Sequence, residues 1–148
     1  MSGLGFLLDP RDFATAADDL QGIADRAGEP RPAMTAISHL LLAGNKEVFE
    51  SQGSAIDTPW PELKASTLRR KKRMPSLFSM MVESGDLQEA ATGGSGSRRR
   101  ASRSSASAGV TPFYAVFHKE TRPPIGIPAG TEAESLTLLE QYLIRGAF

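Results

Sequence analysis

The chain has 148 residues, 17 basic and 17 acidic side chains, and no cysteine. That length fits one domain with a modest core, and zero net charge argues against a dedicated nucleic-acid binder, which is usually clearly basic. Without cysteine there are no disulfides, thiolate metal sites or cysteine nucleophiles, which fits a reducing compartment.

The charge balance hides an asymmetry. Residues 1–63 carry ten acidic and four basic side chains, a charge of −6; residues 64–103 carry ten basic and three acidic ones, +7; the remainder is −1. Segregated charge suits surfaces that meet complementary surfaces, including copies of the same chain. The opening MSGLGFLLDPRD lacks the basic start and long apolar run of a signal peptide. No apolar stretch approaches the roughly 20 residues needed to span a bilayer. The expectation is a soluble protein made in the cytoplasm, with no membrane partner.

In chain order, Asp9 and Pro10 give a helix start. Phe13, Ala16, Ala17, Leu20, Ile23, Ala24 and Ala27 follow at helical spacing up to Gly28, which predicts a first helix over about 10–27. A second helix is predicted from Pro32 to Gln52, with Met34, Ile37, Leu41, Val48 and Phe49 as its apolar stripe and the core as its destination. His39 beside the stripe has no second histidine at ligand spacing and reads as structural. Residues 53–63 read as a loop in which Pro59 and Pro61 restrict the backbone around Trp60, whose ring packs back on the domain. Ser66 or Thr67 is expected to cap a short helix to about Arg73. SLFSMMVES (76–84) reads as a strand or buried turn, and SGDLQEAA as a capped helical turn.

Composition shifts at 93–109, GGSGSRRRASRSSASAG. This low-complexity run predicts a flexible Gly/Ser/Arg loop or a long exposed hairpin. VTPFYAVFH (110–118) carries the strongest strand signal in the chain. RPPIGIPAG reads as an extended arm because proline removes ladder donors. The last helix runs through TEAESLTLLEQYLIRGAF, with Thr131 as cap, Glu134 completing a capping box, an inner face of Leu136, Leu139, Tyr142 and Leu143, and Gly146 as its end. Together these predict an α+β domain: a small antiparallel sheet packed with N-terminal helices and a C-terminal helix, joined by extended loops.

No catalytic constellation emerges, so no enzyme, cofactor or metal is expected. His39 and His118 fit no metal spacing, and GGSGS lacks the Lys-Ser/Thr of a phosphate loop. Tyr114 and His118 would share one face of a strand, but an aromatic buried strand accounts for them. Two basic runs remain: Arg69, Arg70, Lys71, Lys72 and Arg73, and then Arg98, Arg99, Arg100 and Arg103. They suit contact with phosphates without sequence choice, or contact with an acidic neighbour.

Phe49-Glu50, Trp60-Pro-Glu-Leu63, Ser66-Thr67 with Lys71, Ser84-Gly85-Asp86-Leu87, Tyr114-Ala-Val-Phe-His118 and Arg122-Pro123-Pro124 occur in an order that resembles the phage virion morphogenesis family, the Mu protein G-like and P2 tail-completion-like neck proteins. Two details depart from its pattern: Lys119 follows His118 where the family has a nearby glycine, and Arg122 precedes the prolines rather than following them. The resemblance implies a virion structural protein at the head–tail junction, assembled in the host cytoplasm. Its partners would be itself, as a six-fold ring, and the adjoining head-connector, stopper and tail-tube proteins. Trp60, Leu63, Tyr114 and Phe117 would be packing anchors and the nine basic residues an interface with subunits or with DNA in the channel. A nucleic-acid-binding accessory protein using segments 64–73 and 98–103 is the alternative.

Overall fold

A computed structural model describes residues 10–71 and 85–148. Helix α1 (Pro10–Gly28) meets α2 (Arg31–Glu50) at a tight corner; α3 is Ala65–Lys71, α4 Asp86–Ala91, and α5 Ala129–Arg145. Strands β1 (Ser97–Ala101) and β2 (Ala106–Val110) form one antiparallel hairpin. The fold is therefore α+β, with a two-stranded sheet among helices. Single 3-10 turns occupy Ser54–Ile56 and Phe113–His118. The SLFSMMVES segment, Ser84, Lys72 and Arg73 lie outside the described residues.

Helix α2 is the axis of the molecule, packed by α5, the hairpin and α4. Its last turns supply Val48 and Phe49 to the core, which continues through Trp60, Leu87, Ala91 and Ala115. Helix α5 crosses α2 closely because Gly44 has no side chain: a Cβ there would lie 2.6 Å from Thr131 Oγ1 and 3.0 Å from Pro128. At the other end of α5, Tyr142 Oη donates to Glu29 O (2.8 Å). Arg26 donates to the terminal carbonyls of Leu143 (2.7 Å) and Ile144 (3.0 Å), supplying donors that the end of a helix lacks.

Asn45 is the polar tie of the interior. Its buried Nδ2 donates to Ala91 O (3.0 Å) and its Oδ1 accepts from Gly126 N (3.2 Å), joining α2 to the end of α4 and to the proline-rich arm. Asn45→Ala strands both partners and is expected to lower stability by about 2 kcal/mol, read from a urea melt with an unchanged slope.

Several sequence expectations are corrected. Residues 113–118 form a 3-10 turn, not a strand. Thr111 N donates to Gly96 O (2.8 Å), and then Pro112 ends the ladder, having no N–H to give. With no further strand among the described residues to pair with, the backbone closes on itself instead, through Ala115 N to Pro112 O and Lys119 N to Val116 O. At about 120° per residue, Tyr114 and His118 no longer share a face. Phe117 falls on the outside, 74% exposed, and is not an anchor among the described residues.

Helix α5 begins at Ala129, two residues before Thr131. Thr131 is thus buried against Gly44 rather than capping, and Pro128 holds the N-cap position. Leu136, expected on the inner face, points out to solvent. Ser66 and Thr67 lie within the first turn of α3, which starts at Ala65. The Gly/Ser/Arg run, read from composition as a loop or a hairpin, forms the hairpin.

Candidate functional site

The hairpin sorts its arginines by strand alternation. Ser97, Arg99 and Ala101 pair with Val110, Ala108 and Ala106 on one face, and Arg98 and Arg100 pair with Gly109 and Ser107 on the other. The first face lies against α2, where Arg99 Nη1 donates to His39 Nδ1. His39 is thereby a hydrogen-bonded structural side chain. Small residues on β2 let the sheet lie flat on the helix. The opposite face carries Arg98 and Arg100 over residues too small to cover them. At the tip, Ser102 and Ser105 close the four-residue turn, and Arg103 pairs with Glu29 (Nη2 to Oε2, 3.1 Å). That exposed pair ties the hairpin tip to the α1–α2 corner.

The other basic run divides differently. Arg69 and Arg70 are exposed on α3, whereas Lys71 is buried at its end, so Lys71 does not belong to an open basic surface. Lys72 and Arg73 lie outside the described residues. Trp60 is buried edge-on to Phe49, with ring centroids 5.2 Å apart. Leu63 is half-buried, and Tyr114 packs at the margin of the core. Arg122, just ahead of the prolines, clasps the Trp60 loop by donating to Pro61 O (2.6 Å from Nη2) and Glu62 O (3.2 Å).

Sequence reading missed the apolar surface. It sent the aromatic run at 113–118 inward and assigned the stripe of α1 no place. In the structure every residue from 10 to 21 is exposed, including Phe13 (61%) and Leu20 (67%). Helix α1 leans on α5 only near its C-terminal end, through Arg26 and its neighbours. Phe113 (79% exposed) and Val116, eclipsed at i and i+3, border an open cleft of about 480 Å³. Its other walls are Val110, Pro112, Pro123, Pro124 and Ile125, and its one charged lining residue among those described is Lys119. Periodicity shows that a stripe must be covered, but not by which chain.

Among the described residues no group of His, Asp or Glu could hold a metal ion, and no helix is long and apolar enough to cross a membrane. Comparison with protein-family models, curated proteins and solved structures yields no match.

Proposed function

We propose that this chain is a structural subunit of a tailed-phage virion, forming a ring with copies of itself at the head–tail junction and joining the filled head to the tail as a neck or tail-completion part. The observation that carries this reading is the pair of apolar surfaces left uncovered among the described residues. Helix α1 is attached at the first turn of α2. The Phe113–Val116 cleft sits at the last turn, where Ala115 joins the core cluster with Val48 and Phe49. A 20-residue helix separates these points by about 30 Å. Two unlike apolar surfaces on one subunit favour head-to-tail association, which closes into a ring or runs on as a filament. The ordered motifs from Phe49 to Ile127 supply the virion context through their family resemblance, and the adjoining connector and tail-tube proteins are then the remaining partners.

Light scattering and negative-stain imaging of the purified chain are expected to give rings of one defined mass. Deleting its gene from the phage is expected to leave filled heads and tails unjoined. Intact virions from the deletion would sink this reading.

The outward pair Arg98 and Arg100 favours a second reading, a nucleic-acid-binding accessory protein. Under it, affinity for a DNA duplex falls steeply with salt, and the double variant R98A/R100A reduces the slope of log K against log salt by about 2. Under the ring reading, DNA contact is non-specific, weak and secondary.

A further inference from the structure

We infer that the exposed half of α1 is a docking arm, and that its seat is the Phe113–Val116 cleft of the neighbouring copy. This rests on the ring reading and names the contact that would build it.

Phe13 and Leu20 are seven residues apart, two helical turns, and so lie on one face with Ala16 and Ala17 between them. Two large side chains spaced by small ones make a ridge that can enter a groove closely. Among the described residues nothing buries this ridge: residues 10–21 are exposed throughout. A helix segment of this length is marginal in water without cover. The cleft presents the complementary shape, an open hollow of about 480 Å³ with walls of proline, isoleucine, valine and phenylalanine. Phe113 and Val116 at its rim are as exposed as the ridge, so one chain fills neither surface with the other.

Charge agrees with the pairing. The arm carries Asp12 and Asp19 along one flank of its ridge, while the cleft offers Lys119 and no acidic side chain among its described lining residues. A second copy brings the matching surface with certainty, whereas an unrelated partner would need the same shape and charge independently. Because arm and cleft differ, each copy gives its arm to one neighbour and receives an arm from the other, which is the heterologous geometry of a ring.

The absence of cysteine makes the test clean. Leu20→Cys and Val116→Cys are placed together in one chain, the protein is oxidised, and the products are run without reductant. The expected result is a ladder of covalent oligomers that collapses on reduction, with neither single variant extending beyond a dimer. In parallel, Phe13→Asp/Leu20→Asp is expected to lose the oligomer while keeping a folded far-UV circular dichroism spectrum. Its melting temperature is expected to become independent of protein concentration, since the replaced side chains are exposed within one chain and only association is removed.

A wild-type oligomer that survives the double aspartate variant and gives no ladder overturns the docking arm and leaves the ring reading standing. A cross-linked product that stays monomeric also overturns it, because the arm then folds onto its own chain. A wild-type chain that is monomeric at all concentrations removes the ring reading and the arm together.

Discussion

Trp60→Ala is expected to cost about 3–5 kcal/mol, the range for truncating a large buried aromatic side chain. The ring does more than fill volume. It stands edge-on to Phe49 at 5.2 Å and belongs to the same cluster as Val48, Leu87, Ala91 and Ala115. It therefore joins the last turn of α2, helix α4 and the 3-10 turn at one point. Its own backbone is fixed on both sides: Trp60 N donates to Gln52 O (2.7 Å), and Arg122 holds the carbonyl of Pro61. Neighbours pinned in this way cannot collapse into the space an alanine leaves, which places the loss towards the upper end. Trp60→Phe keeps an aromatic edge against Phe49 and removes an indole N–H that has no hydrogen-bond partner among the described residues. Its loss should be less than half that of the alanine variant. Both are read from urea melts followed by circular dichroism at one fixed protein concentration, because association would shift the apparent stability.

Gly53→Ala is the second large effect, about 3 kcal/mol of destabilisation. Gly53 has φ +85°, in the left-handed region where a Cβ costs about 1–2 kcal/mol. A Cβ there would also overlap the carbonyl oxygen of Thr58 and lie 2.5 Å from Trp60 Cδ1. Neither can yield easily. Thr58 N is tied back to Gly53 O (3.1 Å), and Trp60 is the centre of the core. Overpacking of this kind typically costs about 1–3 kcal/mol more. Gly85→Ala is the natural control: φ is +91°, yet among the described residues nothing lies within 4 Å of the added Cβ. Only the backbone cost of about 1–2 kcal/mol is then expected. The difference between the two melts measures the contact with Thr58 and Trp60 alone. Equal losses at the two positions would show that the Trp60 loop tolerates the extra methyl.

These two residues also show how the loop works. Helix α2 ends where Gln52 and Gly53 turn left-handed, and Gly53 N reaches back to Val48 O (2.8 Å). The chain then doubles over Ser54–Ile56 and returns Trp60 to the helix it has just left. Two prolines narrow the backbone choices on either side of the ring. The stretch that follows Trp60 carries the basic run into α3, where Arg69 and Arg70 remain on the surface and Lys71 is buried. The tryptophan thus fixes where one part of the basic surface begins, and the hairpin fixes the rest through Arg98 and Arg100.

The sequence by itself determined the long helices α1, α2 and α5 to within a few residues, because apolar spacing and Gly28 or Gly146 at the ends act locally. It also determined the α+β class and the inward Trp60. Tertiary structure alone decided the rest. Strand formation at Ser97–Ala101 and Ala106–Val110 depends on α2, since Ala, Ser and Gly have little strand preference of their own but fit flat against a helix. The aromatic run at 113–118 has high strand preference but no strand to pair with among the described residues, and the same residues close into a 3-10 turn. Thr131 reads as a cap but lies inside α5, because Gly44 gives its side chain a place against α2. Periodicity found the stripes on α1 and around Leu136, but periodicity measures only the contrast between two sides of a helix. Whether the apolar side of α1 meets its own chain or the next one depends on where α2, α5 and the cleft stand in space.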